Sequence, residues 1–160
     1  MRVVIGGVVM MHGLLKLGVV GKGGSPAGVA GWFNSMGLRP GLFWAWVAIA
    51  AEAGGGLVTV LGLGGPIGPG LVAGDLIVVI VVAHWNQGFW AGGGKVGWEF
   101  PLPLAAGALA IALAGNGAWS LDRMLGLTYP DWLPPAWLVL MAVGAIGAVG
   151  VRSVQAPKAA

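Results

Sequence analysis

Apolar runs of bilayer length recur along this chain and limit what it can fold into. A transmembrane helix needs about 20 predominantly apolar residues, and five segments reach or approach that length. Only 8% of the 160 residues are charged, against about a quarter in an ordinary soluble domain, so the chain cannot cover a water-facing surface. The sequence therefore predicts an all-α integral membrane protein that crosses the bilayer several times, with lipid as its main partner.

Gly- and Pro-rich breaks separate the apolar runs and divide the chain. A loop with Lys22, Ser25, Pro26 and Arg39 is predicted between the first two helices. The first four helices are expected to form a bundle within residues 1–122, with Ser120 or Asp122 capping a short interfacial helix. The predicted membrane helices are residues 3–20, 42–63, 70–89, 99–114 and 136–152. The remaining segments are an interfacial stretch at 123–135 and a polar tail at 153–160.

The tryptophans support this layout. We call the membrane face where the first helix begins side A and the face where it ends side B. Tryptophan collects at membrane interfaces because its ring is apolar while its N–H needs a wet partner. Six of the nine tryptophans fall on or near side B. The other three, Trp119, Trp132 and Trp137, fall on side A.

Loop cations predict the orientation. Arg2 and Arg123 lie on side A, whereas side B collects Lys22, Arg39, Lys95, Arg152 and Lys158. Cytoplasmic loops carry an excess of Lys and Arg, so side B is predicted to be cytoplasmic and the N-terminus external. The expected location is the plasma membrane of a prokaryotic-type cell.

Ionisable side chains within membrane helices are costly and are functional candidates by default. His12 and Lys16 are four residues apart and share one face of the first helix. Glu52 lies near the middle of the second helix and His84 toward the end of the third. A rise of about 1.5 Å per residue places all four in the side-B half of the bilayer, with Glu99 at that surface. We expect the four to face the bundle interior.

Three further charged residues fall at the side-A edge by the same count, namely Arg2, Asp75 and Asp122. Together with Glu99 and Ser120 they are candidates for structural contacts or for a proton path. Asp75 and His84 are nine residues apart, about 180° around a helix, so they cannot serve one small site together.

Each candidate also has a structural interpretation. The histidines can hydrogen-bond between helices, and Lys16 can extend to the cytoplasmic surface. Glu99 and Asp75, close to predicted helix ends, can act as caps. Glu52 is the hardest to explain this way, because a carboxyl group in mid-membrane must be paired, with Lys16 or a histidine, or else carry a proton.

Composition excludes several kinds of site. The chain has no cysteine, which rules out disulfides, thiolate metal sites, iron–sulfur clusters and covalently attached c-type haem. No metal site is predicted. The net charge of +3 comes from few residues and forms no basic face, so nucleic acid is not an expected partner.

An ordered set of motifs within residues 1–122 resembles the DoxX-like family of small membrane proteins, which includes a subunit of thiosulfate:quinone oxidoreductase. In helices 1–3 the set comprises Arg2, His12-Gly13-x-x-Lys16, Glu52 followed by glycines, Leu61-Gly62 and His84. It continues with Trp98-Glu99 and Gly115-x-Gly117-x-x-Ser120-Leu121-Asp122. The extra hydrophobic segment after Asp122 departs from the family pattern and leaves its partner and substrate open.

The resemblance implies a four-helix bundle and a role in membrane redox complexes, where some relatives pass electrons from thiosulfate or related sulfur compounds to quinone. Two hypotheses follow. In the first the chain is a quinone-linked redox subunit, in which Glu52 and His84 are catalytic and His12, Lys16, Glu52 and His84 bind the quinone. Glu52 would then relay protons to side B through Glu99. A b-type haem held by His12 and His84 is geometrically conceivable but has no support from the family.

In the second hypothesis the chain is a non-catalytic anchor or assembly subunit, with partner subunits or further copies of itself. The polar residues would then only hold the bundle together. A small transporter is a weaker idea, since the two polar clusters are separated by an apolar gap.

Overall fold

The computed structural model describes residues 1–155, and this range is all-α with no β-strand. Seven helices are described: α1 Arg2–Leu17, α2 Pro26–Ser35, α3 Gly41–Leu61, α4 Ile67–Gln87, α5 Pro101–Ala114, α6 Leu121–Met124 and α7 Leu133–Gln155. Two of them contain π-helical turns, Ala50–Gly55 in α3 and Ile80–His84 in α4. The predicted tail therefore begins inside α7, and residues 156–160, with Lys158, lie outside the described residues.

Within residues 1–155, three helices are long and apolar enough to cross a bilayer: α3, α4 and residues Leu133–Arg152 of α7. α1 has 16 residues and α5 has 14, which is shorter than the roughly 20 that a membrane span needs. α1 ends where Gly18 adopts a left-handed conformation with φ 76°, and α5 ends before Gly115 with φ 88°. The predicted first helix, residues 3–20, is therefore too long at its end, because Gly18 ends α1 at Leu17. α5 ends at residue 114 as predicted and begins at Pro101, two residues later than predicted.

α4 lies at the centre of the bundle and packs against α3, α5 and α7, while α1 packs on α3 and α5. Ile5, Val9, Val72, Leu76 and Ala108 form the apolar core between α1, α4 and α5. The four-helix bundle is therefore α1, α3, α4 and α5. The additional helix α7 contacts α4 on the outside of this bundle.

Small residues allow α1 and α3 to pack with their backbones close together. A Cβ atom at Gly6 would lie 2.7 Å from the Gly56 carbonyl oxygen, and one at Gly56 would lie 2.7 Å from the Met10 nitrogen. A Cβ atom at Gly13 would lie 2.8 Å from the Cα of Ala53. Small residues at such contacts are how membrane helices associate, since lipid supplies no hydrophobic driving force between them.

Gly13→Ala should destabilise the bundle by about 1–3 kcal/mol, because the added methyl group collides with the Ala53 backbone. Gly7 provides a matched control on the same helix, since nothing lies within 4 Å of its Cβ position. Gly7→Ala should leave stability unchanged or slightly higher. Thermal unfolding of both variants in one detergent tests this, and equal melting temperatures would contradict the close contact at Gly13.

α2 occupies the stretch that was predicted to be a loop, so that prediction is wrong. Ser25 caps the helix by accepting a hydrogen bond from the Gly28 N–H, and Pro26 is its first residue. Phe33 is buried, and the side-chain oxygen of Asn34 accepts a hydrogen bond from the Gly41 N–H at 2.8 Å. α2 and α3 therefore form a helical hairpin on side B. At 10 residues, α2 is too short to register as a membrane span.

Candidate functional site

The interior of the bundle contains an ion pair between Lys16 and Glu52. Lys16, one residue before the end of α1, contacts the Glu52 carboxylate. Glu52 is buried, with 4% of its surface exposed. The expected alternative, in which Lys16 extends to the cytoplasmic surface, is not what the structure shows. Close packing at Gly13 brings this part of α1 against α3, so that the lysine can reach the carboxylate.

The backbone around Glu52 is unusual. Glu52 lies in the π-helical turn Ala50–Gly55, where one extra residue per turn widens α3. Such turns are rare and occur frequently at functional sites. His84 closes the second π-helical turn of the chain, in α4. Glu52 and His84, the two residues predicted to be catalytic, therefore both lie in π-helical turns within otherwise regular α-helices.

Asp75 belongs to the same interior cluster, contrary to its predicted position at the side-A edge. It interacts electrostatically with Glu52 and Lys16. Its Oδ2 atom is inaccessible to solvent and has no hydrogen-bond partner among the described residues. The predicted depth was wrong because α4 begins at Ile67, three residues earlier than expected, which moves Asp75 toward the middle of the membrane.

The three side chains form what we call the interior triad, Lys16, Glu52 and Asp75. Fully ionised, two carboxylates and one ammonium carry a net charge of −1. One proton shared between the carboxyl groups makes the triad neutral. Charge is strongly disfavoured in the bilayer interior, so the arrangement suits a site that binds and releases a proton.

An apolar cavity of about 320 Å³ lies next to the triad, between the α2–α3 hairpin and helices α4 and α7. Asp75 is its only ionisable wall residue among those described. Aromatic side chains contribute much of the wall, namely Trp32, Phe33, Phe43 and Trp44. Small residues on α3 and α7 leave the space open, namely Ala48, Ala51, Gly144, Ala145 and Ala148.

The two histidines do not join the interior triad. His12 is exposed on the outer face of α1, where its ring lies 6.0 Å from that of Phe100. His84 forms a hydrogen bond of 2.7 Å between its Nδ1 and the Val96 carbonyl oxygen, in the loop between α4 and α5. The expectation that both face the bundle interior beside Lys16 and Glu52 is therefore wrong. It was based on depth alone, and their directions around the helices differ.

Glu99 is part of the same side-B loop. Its carboxylate accepts a hydrogen bond from the Ala91 N–H at 2.9 Å, and Trp98 stacks on Trp85 with ring centroids 5.7 Å apart. α5 begins only at Pro101, so Glu99 precedes that helix and does not open it. These contacts give Glu99 a structural task in ordering the loop.

Side A carries a second polar network, which we call the side-A clasp. It comprises Arg2, Gly64, Gly65, Asn116, Asp122 and Tyr129. The Asp122 carboxylate accepts hydrogen bonds from the Gly64 and Gly65 N–H groups at 2.9 Å each. It also accepts from the Asn116 amide and the Tyr129 hydroxyl at 2.8 Å each. One carboxylate thus ties the α3–α4 turn to the segment that follows α5.

Arg2 fastens the start of α1 to this network. Its guanidinium donates to the carbonyl oxygens of Val60 at 3.2 Å and Asn116 at 2.8 Å, and also to that of Trp119. Ser120 caps α6 by accepting a hydrogen bond from the Arg123 N–H, which confirms the prediction of a capped short helix here. Arg2 and Asp122 share side A as predicted, and their contacts are those of a structural network.

The hydrogen bonds of the clasp shift two pKa values. Burial raises the pKa of the Asp122 carboxyl, but hydrogen bonds from Asn116, Gly65, Tyr129 and Gly64 outweigh it and hold the pKa below its ordinary value. Burial and the bond to Asp122 raise the pKa of the Tyr129 hydroxyl. Asp122 is therefore ionised and Tyr129 neutral at physiological pH.

Sequence reasoning did not identify Asn116 and Tyr129 as clasp members. Asn116 stands inside the Gly115-x-Gly117 motif and also donates to the Gly65 carbonyl oxygen at 3.0 Å. An asparagine between two glycines at a helix end could have suggested such a role. Nothing in the sequence suggests that Tyr129 reaches Asp122.

Comparison with known proteins identifies one family. The family model of DoxX matches residues 1–85, which span α1 through nearly all of α4 and include the interior triad. Neither the curated proteins nor the solved structures include a match to this chain.

Proposed function

The chain belongs to the DoxX family, and from this membership and the interior triad we propose that it is the membrane subunit of a quinone-linked redox complex. In this role the triad exchanges protons with a quinone in the bilayer. The single observation that supports the proposal most is the buried Lys16–Glu52 pair with Asp75 beside it.

The chemistry requires both electrons and protons. Reducing one quinone to quinol consumes two electrons and two protons. A carboxyl group in the bilayer interior can supply a proton at the quinone oxygen and regain one from side B. Lys16 beside the two carboxyl groups keeps the triad close to neutral in either state. The chain thus offers proton handling, which is the part of the reaction that must occur inside the membrane.

The electrons come from outside this chain in our proposal. A partner subunit oxidises a reduced sulfur compound; two thiosulfate ions, for example, join through a new S–S bond and release two electrons, which pass to the quinone. The described residues contain no cysteine that could take part in thiol redox chemistry. The additional helix α7 presents an outer face with exposed Val139, Val143 and Ile146, which is available to lipid or to a partner subunit.

Quinone reduction by the purified chain alone, compared with the chain isolated together with its partners, tests this proposal. With thiosulfate as donor and a short-chain ubiquinone as acceptor, we expect turnover only when the partners are present. Absence of quinone reduction in both preparations, with thiosulfate and with sulfide as donor, would contradict it.

The second candidate is the non-catalytic anchor. The side-A clasp favours it, because there the chain uses buried polar residues purely to hold helices together. In an anchor, the Lys16–Glu52 pair would have the same structural task.

A further inference from the structure

We infer that the quinone head group binds in the apolar cavity between the α2–α3 hairpin and helices α4 and α7, with Asp75 forming a hydrogen bond to one quinone oxygen. This inference rests on the proposed function and assigns it a binding site. Lys16 and Glu52 lie outside the cavity wall and act on Asp75 through their charges.

The shape of the cavity suits a planar, mostly apolar ligand. Its volume of about 320 Å³ is at the lower end for small-molecule sites, which are typically about 300–1,000 Å³ and mainly apolar with a few polar groups. Phe33 and Trp44 provide flat aromatic surfaces in its wall. A quinone ring stacks favourably on such surfaces. The cavity therefore accommodates a head group, with the isoprenoid tail extending outward.

The cavity opens toward the lipid. Phe43 and Val47 belong to its wall and are also exposed on the outer surface of α3, with 58% and 43% of their areas accessible. On the opposite wall Gly144 of α7 is exposed and has nothing within 4 Å of its Cβ position. A membrane-dissolved quinone can therefore enter sideways between α3 and α7.

Asp75 supplies the polar contact that a quinone needs. A quinone carbonyl accepts hydrogen bonds only, so its partner must be a donor, and a protonated carboxyl group is one. Asp75 is the only ionisable residue among the described wall residues, so its carboxyl group is the acid that the wall offers to a quinone oxygen. Its electrostatic interaction with Glu52 and Lys16 connects the cavity to the rest of the triad.

Binding of a photoreactive azidoquinone to the complete complex in lipid nanodiscs tests the assignment. In the wild-type protein we expect saturable labelling of the cavity-lining segments of α3 and α7, competed by a short-chain ubiquinone. Gly144→Phe should weaken binding at least tenfold, because its ring enters the cavity. Gly147→Phe is the matched control, since Gly147 is on the same helix, has an open Cβ position and lies outside the cavity wall, and it should bind normally.

Asp75→Asn tests the polar contact. The amide keeps the shape of the side chain and can still donate a hydrogen bond, but it cannot exchange a proton, so quinone binding should persist and lose its dependence on pH. Asp75→Leu removes the donor and should weaken binding at least tenfold, and wild-type affinity in that variant would contradict the contact. Melting temperatures in the same nanodiscs show whether each variant is folded. The position of the azidoquinone label in the wild-type protein tests the site even if a variant fails to fold.

Two results would overturn the inference in distinguishable ways. Saturable labelling outside the cavity, or normal binding by Gly144→Phe, would remove this site and leave the proposed function intact. Absence of saturable quinone binding to the wild-type complex would remove the proposed function as well.

Discussion

Glu52→Gln should lower quinone-linked turnover of the assembled complex about 100-fold or more, which is the usual scale for loss of a positioned acid or base. Glutamine keeps the shape of the side chain and can still accept a hydrogen bond from the Lys16 ammonium group, so the chain should still fold and insert. What it loses is the ability to take up and release a proton. Turnover with saturating quinone, measured on the purified complex, gives the comparison.

The ion pair complicates this experiment, because Glu52→Gln leaves the Lys16 charge without its partner. Removing one member of a buried pair commonly costs about 3–5 kcal/mol, whereas replacing both members by neutral residues is often close to neutral. The double variant Lys16→Met/Glu52→Gln should therefore recover the melting temperature of the wild-type protein. Its turnover should remain low if Glu52 handles protons.

The anchor hypothesis predicts the opposite pattern. If Glu52→Gln turns over normally and Glu52→Ala merely destabilises the bundle, the residue is structural. Recovery of both stability and turnover in the double variant would lead to the same conclusion. The chain would then serve to hold the complex in the membrane.

Most of the long helices, and the shared depth of Lys16 and Glu52, could be predicted from the sequence. Apolar length fixes where a chain crosses a bilayer, and the rise per residue converts position into depth. Lys16 and Glu52 were expected at compatible depths on this basis, and they do meet. The capped helix after Ser120 followed from a local rule that needs no tertiary information.

Direction around a helix could not be predicted. The spacing of His12 and Lys16 predicts that they share one face of α1. In the structure Lys16 points inward and His12 outward. The close contact at Gly13 orients α1 so that only Lys16 reaches α3. π-helical turns add a further shift, since each extra residue changes the phase of everything that follows. The predicted depth of Asp75 was wrong for a different reason. The glycines and prolines before Asp75 indicated a turn, but α4 already begins among them, at Ile67.

The cavity could not be predicted either, because it depends on α2 and α7. A short helix such as α2 lacks the length that marks a membrane span, and the packing position of α7 has no local signal. Ala48, Ala51, Gly144 and Ala148 each look like ordinary small membrane residues. Only their arrangement around one cavity, with Asp75 in its wall, suggests a ligand-binding site.

Asp122→Ala should be among the most destabilising single changes, at about 3 kcal/mol or more. The carboxylate accepts four hydrogen bonds, and its loss leaves the Gly64 and Gly65 N–H groups without their acceptor. The Asn116 amide loses one of its two acceptors and keeps the Gly65 carbonyl oxygen. Each buried polar group without a partner costs about 1–3 kcal/mol. Asp131 is exposed, and Asp131→Ala should change stability by no more than about 0.5 kcal/mol. Equilibrium unfolding of both variants in mixed micelles gives the two values.

The pH dependence of stability separates the charge of Asp122 from its shape. The pKa of Asp122 is lower in the folded state than its ordinary value of about 3.9, so the unfolded chain takes up this proton first. The stabilisation is complete above that ordinary value and is lost as the pH falls through the folded pKa. Wild-type and Asp131→Ala proteins should therefore lose stability progressively below about pH 4, and this loss should be smaller in Asp122→Ala. The same acid sensitivity in Asp122→Ala as in the wild-type protein would show that the charge of Asp122 does not stabilise the fold.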